Sequence, residues 1–559
     1  MFRTSMFAAA MLSVALVASA QVAPTPPARD GGQPAREGPS PSGTATIRGR
    51  AIDAASGHGL SRVEMRAGPN AGQANGRVVL TDGDGRYEIK GLPAGTYTII
   101  ASKPNYVRTS WGEARVEGPG KRIPLADGQL LENIDVKLLR SGAVRGRIVD
   151  EFGEVVTDVS VSAMQYRYQA GSRMLTAVGR TGSTNDIGEY KIYGLSPGEY
   201  YISATLRNGA IGPANDSADR SGYAATYFPG TGNIAGAQRL TIAAGQTLTG
   251  IDLSLLPVRT ARVSGVAFDD RGRPLVKVTI VGMQRIGFSM RSSSVAVTGA
   301  DGSFVVAGLT PGEYQLRAIN GAGPGAPEAT AVVNIDGSDI TDLQLTVTKP
   351  STLSGRVTFA DGGGAPPKAS TIHVTAMRTE PMMFGPPGNA TVKDDLTFEM
   401  SVAAGHVFVR SPTGPNWRLG RVLLGDADVT DTGIDVPVNA AIPNIVIELT
   451  DHIYPISGRV TDADGNVVRD CDVIVFGKDP GGWTPGTRFV ARMRPGGDDL
   501  YHGRMPAGDY YAVAMTDVPP NAWTDSEFLG RIRESATTFS LIAGTPAVIN
   551  LPVSPAPVF

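Results

Sequence analysis

Three stretches of alternating apolar and polar residues recur in the same order along the chain. The first is a short run centred on glycine: Ile47-Arg48-Gly49-Arg50-Ala51-Ile52-Asp53, then Val144-Arg145-Gly146-Arg147-Ile148-Val149-Asp150, Val263-Ser264-Gly265-Val266, Leu353-Ser354-Gly355-Arg356-Val357 and Ile456-Ser457-Gly458-Arg459-Val460. The central glycines stand 97, 119, 90 and 103 residues apart. The second is a strand, a tight turn and a strand, as in Asp84-Gly85-Arg86-Tyr87-Glu88-Ile89-Lys90-Gly91-Leu92-Pro93-Ala94-Gly95-Thr96-Tyr97; Gly188 to Tyr200 and Gly302 to Tyr314 copy it. Tyr87 and Ile89 share a face at period two, and Pro and Gly supply the backbone angles of the turn. Met505-Pro506-Ala507-Gly508-Asp509-Tyr510 keeps only the ending, and Ala403-Ala404-Gly405-His406-Val407 is degenerate. The third closes each unit by strict alternation: Ile134, Val136, Leu138; Ile251, Leu253, Leu255; Leu343, Leu345, Val347; Ile445, Ile447, Leu449; and Ile549, Leu551, Val553. Such a strand has one face on a core and one in water.

Strands punctuated by turns, with no ten-residue amphipathic helical stretch between them, predict an all-β protein of tandem antiparallel sandwiches. The repeats place five of them at 45–140, 141–258, 259–350, 351–452 (degenerate) and 453–554. Very short linkers, such as Leu139 to Gly142 and Thr348 to Ser351, predict a semi-rigid elongated rod.

Composition agrees. Gly and Pro supply 70 and 40 of 559 residues, which disfavours long helices, and 51 basic against 53 acidic side chains leave a net charge of -2. That balance implies neither a nucleic-acid surface nor an acidic tail. Residues 1–20 carry Arg3, an apolar stretch from Met6 to Val17 and small residues at Ala18 and Ala20. They read as a secretory signal peptide cleaved after Ala20, placing the protein outside the cell, in the periplasm or in the cell envelope, with no membrane span in the mature chain. Residues 21–44 form a Pro/Gly/Ser-rich tether. Cys471, the single thiol, lies in an apolar run and reads as buried and structural.

The block Asp-x-x-Gly-x-Tyr/Phe-x-x-x-Gly-Leu-x-x-Gly-x-Tyr, preceded by the glycine-centred strand, resembles the carboxypeptidase regulatory-like domain family. That resemblance covers the units from residue 45 to 554. It implies transthyretin- or prealbumin-like, Ig-like sandwiches, grouped with carbohydrate-binding-like folds and related to the B-type repeats of bacterial collagen adhesins. Tyr227-Phe228-Pro229-Gly230-Thr231 and Asp428-Val429-Thr430-Asp431 look like segments of long secreted bacterial repeat proteins. It implies no catalysis, since such domains accompany zinc peptidases without carrying their site. The Lys-to-Asn crosslinks of the adhesin relatives need a Lys in the first strand; here Arg48, Arg145, Arg356 or Arg459 stands there.

Candidate chemistry is sparse. No His is followed three residues later by Glu, and no nucleophile elbow, dinucleotide loop or phosphate loop occurs, so neither enzyme activity nor a cofactor is expected. Asp82 with Asp84, Asp269 with Asp270 and Asp462 with Asp464 could serve glycoside hydrolysis as paired carboxylates, but fall at equivalent turns, where backbone chemistry wants Asp and Gly; calcium is a further alternative at residues 82–85 and 462–466. Four Trp lie in loop-like settings, and Trp417, Trp483 and Trp523 are the candidate sugar-stacking residues. Tyr97, Tyr200, Tyr314 and Tyr510, at a fixed position after the turn, read as core or tyrosine-corner residues. Long irregular stretches at 208–233 and 379–394, the second with Met382, Met383, Phe384 and Pro386, are further candidate contact regions. The expected function is a non-catalytic secreted or envelope-associated scaffold or adhesion protein. The alternative is extracellular carbohydrate binding through loop aromatics, and the candidate partners are a polysaccharide or an envelope or extracellular protein.

Overall fold

The computed structural model describes residues 43–68, 76–113, 115–118, 120–169, 171–206, 221–286, 289–319, 329–360, 364–378, 388–411, 417–484, 486–516 and 518–555. The expected signal peptide, nearly all of the 21–44 tether and the Met382–Pro386 tip lie outside them.

Each repeat folds as two facing sheets. In the first, Ala45–Asp53 pairs with Arg86–Leu92 on one side and with Leu130–Leu131 and Val136–Leu138 on the other. The opposing sheet runs Arg77–Leu80, Glu64–Gly68, Gly95–Ser102, with Thr109–Ser110 and Ile123–Leu125 at its far edge. Ile47, Ile89, Ile99, Val136 and Leu138 meet between the sheets. Corresponding buried clusters form at Val144–Leu255, Ala261–Val347, Leu353–Leu449 and Ile456–Leu551. The closing alternation is borne out: in the first repeat Ile134, Val136 and Leu138 are buried while Asp135 and Lys137 are exposed.

Pairing is not purely antiparallel, as alternation alone led one to expect. The first strand of every repeat pairs parallel with the closing strand, for instance Ala261–Phe268 with Ile340–Thr346 and Ser351–Phe359 with Ala441–Thr450. Period-two burial is the same for either direction, so the pattern does not encode it.

This parallel pairing explains the recurrent glycine. A Cβ on Gly49 would lie 2.1 Å from the carbonyl oxygen of Ile134, and on Gly146, 1.9 Å from that of Ile251. At Gly265, Gly355 and Gly458 the corresponding distances to Leu343, Ile445 and Ile549 are 1.8, 1.9 and 1.8 Å. The glycine is opposite an aromatic residue on the neighbouring strand: Tyr87, Tyr190, Phe304, Phe398 and Tyr501 in turn. Where that residue is Tyr, its hydroxyl donates to the same close carbonyl, at 2.6 Å in all three cases. Burial raises these phenols above their ordinary range. One residue further on, the amide of Arg50, Arg147 or Arg459 donates to the side chain of Asp135, Asp252 or Asn550, closing the gap left in the ladder. The tyrosine-corner reading also holds: Tyr97, Tyr200 and Tyr510 donate to the carbonyl four residues back, at 2.8, 2.6 and 2.9 Å.

The repeats are not laid out as the expected elongated rod. The fifth returns to the first two: Lys121 pairs with Asp470 at 3.3 Å, and Arg115 donates to the carbonyl of Val518. The long hairpin Val159–Gln169/Ser172–Ser183 carries Tyr168 into an apolar cluster with Phe528, Leu529 and Ile532 of the fifth repeat. Their helix, Ser526–Ile532, is capped by Asp525 and buries one face. Short linkers constrain each step but not the accumulated direction, and an apolar face on two distant repeats closes the path.

The junction of the first two repeats is pinned by Asp53, which is buried. It accepts the amides of Ser56 and Ala55, the Tyr106 hydroxyl at 2.9 Å and Arg140 Nε at 3.1 Å. These bonds, the Ser56 amide foremost, hold its carboxyl well below the usual range against the opposing effect of burial. The depressed value means that the pin is fully present above the ordinary Asp value of about 4 and is lost as the pH falls below it toward the folded value.

Two outcomes are expected. Gly146→Ala should destabilise the second repeat by about 3 kcal/mol or more, while Gly83→Ala, with nothing within 4 Å of its added Cβ, should be neutral; hydrogen exchange read repeat by repeat checks both. Asp53→Asn should speed exchange at Ala55 and Ser56 at neutral pH, and the unaltered chain should show that loosening only in acid, below about pH 4.

Candidate functional site

The three candidate sugar-binding indoles do not share one surface. Trp417 precedes the strand Arg418–Leu424, is 6% exposed, meets Phe359 edge-on at 5.2 Å and donates Nε1 to the Ala365 carbonyl at 3.1 Å. Trp483 follows a 3-10 turn, Pro480–Gly482, whose first amides are capped by Asp479. It is 8% exposed, donates Nε1 to the Gly477 carbonyl at 2.8 Å and packs on Phe476. Both belong to buried clusters, so the expectation that they offer a face to a sugar ring is corrected: the Gly and Pro around them make turns that fold the indole inward. Trp523, on the 3-10 turn Ala522–Thr524, is half-buried and lines a cavity. Trp111 packs against the first core.

The recurrent acidic turns are occupied by backbone. Asp82 Oδ1 accepts the amides of Asp84 and Arg86, Asp269 Oδ1 those of Arg271 and Arg273, and Asp462 Oδ1 those of Asp464 and Asn466. These bonds hold Asp269 and Asp462 below the usual carboxylate range. Among the described residues no three His, Cys, Asp or Glu side chains gather as a metal-binding group. Cys471 is buried, and that burial pushes its thiol up to about 12, leaving it protonated and unreactive at neutral pH.

The cavity, of about 440 Å³, lies between the fourth and fifth repeats. The fourth contributes Thr375 and Met377 from the strand His373–Arg378, Arg410 and Ser411 at the end of Gly405–Arg410, and Arg418 and Leu419. The fifth contributes Arg488, Val490, Ala491, Arg504, Met505 and Trp523, among others. Arg410 is 5% exposed; its guanidinium donates to the Thr430 carbonyl at 2.7 Å and, across the junction, to Thr484 Oγ1 at 3.2 Å. Burial depresses its basicity, Asp431 opposing and Arg488 adding to the effect. Arg488 faces Asp431 at 3.6 Å, also across the junction. Asp431 Oδ1 and Arg488 Nε are both buried without a hydrogen-bond partner, and burial holds the Asp431 carboxyl above its ordinary value. The Asp428-Val429-Thr430-Asp431 segment thus serves this junction, Asp428 Oδ1 receiving the Thr430 amide at 3.0 Å. Sequence reasoning missed the arginines, which come from strands and loops of different repeats. Their one local trace was that segment.

Residues 46–138 match the model of the carboxypeptidase regulatory-like domain family. Among curated proteins, Colossin-A of Dictyostelium discoideum is 26% identical over 265 residues, 45% of this chain. The match spans 2% of the length of that much longer protein. Among solved structures, a streptococcal ancillary pilin is similar at 14% identity, covering 54% of this chain and 98% of its own, with a TM-score of 0.19. The minor pilin of Streptococcus agalactiae is 12% identical, covering 37% and 96%, TM-score 0.19. Two B repeat units of the collagen-binding protein of Staphylococcus aureus are 12% identical, covering 67% and 92%, TM-score 0.13. At these scores the structural likenesses carry no argument about how the repeats are arranged or what they bind.

Trp417→Ala and Trp483→Ala are each expected to destabilise their repeat by about 3–5 kcal/mol, read as earlier thermal unfolding and lost exchange protection in that repeat. Trp523→Ala, at a half-buried position, should cost clearly less in the same measurement.

Proposed function

We infer that the protein is a non-catalytic, extracellular or envelope-associated interaction scaffold, with repeat boundaries at 45–140, 141–258, 259–350, 351–452 and 453–554. The observation that carries this reading is how the recurrent polar side chains are spent. Turn carboxylates receive backbone amides, closing-strand Asp and Asn side chains repair the ladder, and Tyr hydroxyls cap carbonyls. Groups committed to the backbone in this way serve to build sandwiches, and what the chain offers a partner is surface and junction. The match of residues 46–138 to the carboxypeptidase regulatory-like domain family supports the same reading. No described helix is long and apolar enough to cross a membrane.

A second reading, saccharide binding, is favoured by one feature: Trp523 lines a cavity together with apolar Met377, Leu419 and Met505 and several polar groups. An indole beside hydrogen-bonding side chains suits the two-sided chemistry of a sugar ring.

Cells expressing a tagged full-length chain test the scaffold reading. The chain is expected outside the cytoplasmic membrane, and its deletion is expected to reduce attachment or envelope integrity without loss of any enzymatic turnover. Retention in the cytoplasm, or a turnover of the purified protein abolished by a single Asp or His substitution, would overturn it.

A further inference from the structure

We propose that the cavity between the fourth and fifth repeats is selective for acidic saccharides, binding a sugar ring that bears a carboxylate. The proposal rests on the saccharide reading of this cavity and adds the charge that the ligand must carry.

Its walls are strongly one-sided in charge. Four guanidiniums, those of Arg410, Arg418, Arg488 and Arg504, line it, and among the described lining residues there is no acidic side chain. Outside the lining, Asp428 and Asp431 stand near Arg488, and Asp479 stands near Asp431. Arg504, on the strand Tyr501–Met505, is exposed, and its side chain makes no ion pair or hydrogen bond among the described residues. One ion pair spans the junction, yet Arg488 Nε remains buried without an acceptor. A buried donor left unmade is costly, and an anion is the ligand that would both accept from such donors and offset the excess of positive charge.

The remaining surface argues for a ring. Trp523, Met377 and Met505 give the cavity an apolar side that a bare inorganic anion would leave unused. Its volume of about 440 Å³ falls in the range of roughly 300–1,000 Å³ typical of small-ligand sites. That is room for a short oligosaccharide segment. Guanidinium forks match carboxylate geometry, and a carboxylated sugar ring supplies the carboxylate and the ring face together.

Calorimetry on the full-length chain with trigalacturonate, a neutral galactose trisaccharide and inorganic phosphate tests this. Trigalacturonate is expected to bind at least about tenfold more tightly than either of the others, and more weakly as salt rises. Arg504→Gln and Arg418→Gln should each weaken it by about tenfold, the first, at an exposed position, while leaving thermal unfolding unchanged. Equal binding of the neutral trisaccharide overturns the charge selectivity and leaves the saccharide reading standing. Equal binding of phosphate overturns the role of the ring. Binding of neither sugar sinks both the inference and the saccharide reading, and trigalacturonate binding untouched by both Arg variants removes it from this cavity.

Discussion

The approach of one carbonyl to one glycine organises each repeat. The closing strand runs beside the first strand so tightly that its carbonyl occupies the space of a side chain, as Ile251 does over Gly146 and Ile549 over Gly458. Only a residue without Cβ permits it. The aromatic residue opposite fills the volume the glycine leaves empty, and a Tyr hydroxyl gives the displaced carbonyl a buried donor. With first and last strands side by side and parallel, the chain enters each sandwich at one end and leaves at the other. That exit geometry is what lets sandwiches follow one another through linkers of a few residues.

Given such steps, interactions between distant repeats decide the overall course. Repeats in series need touch only their neighbours, yet Tyr168 leaves its own core and meets Phe528 in an apolar cluster completed by the fifth repeat. The loop that supplies Glu117 is held by Arg167 and Ser196 of the second repeat, and the same stretch reaches the fifth through Lys121. Most of these polar contacts are exposed and individually weak. The buried aromatic contact is therefore the principal stabiliser of the return, with the ion pairs setting its register.

Much of this fold was legible because the signals are local. Alternation such as Ile134, Val136, Leu138 marks a half-buried strand, and Pro506-Ala507-Gly508-Asp509-Tyr510 marks both the turn and the corner tyrosine whose hydroxyl reaches Pro506. Gly49 and its counterparts were visible as a repeat, but their cause lies far downstream, at Ile134 for Gly49 and Ile251 for Gly146, in a carbonyl that composition cannot point to. Strand direction was hidden for the same reason, since burial alternates alike in parallel and antiparallel pairs. At the candidate site the local signals misled. Gly481-Gly482-Trp483-Thr484 has the composition of an exposed loop, yet an Asp479-capped turn folds the indole onto Phe476. The arginines of the cavity carry no mark of their own beyond the 428–431 segment that meets two of them, because each belongs to a different strand or loop and acquires its meaning only where two repeats meet.

That placement has a consequence for what the junction does. Arg410 reaches Thr484 and Arg488 reaches Asp431, so the polar bonds that set the angle between the fourth and fifth repeats are made by the same side chains that line the cavity. Asp431 Oδ1 and Arg488 Nε stay unpaired within that contact, which makes it weaker than a fully satisfied buried pair. A ligand seated between the guanidiniums of both repeats binds one inter-repeat angle better than its neighbours, and by linkage it holds that angle. The fifth repeat also carries the surface that packs on Tyr168. Occupancy of the cavity and closure of the chain on its second repeat would therefore both act on the fifth repeat. A binding site at a junction, rather than on the flank of one sandwich, would turn recognition of a ligand into control of the angle between two repeats.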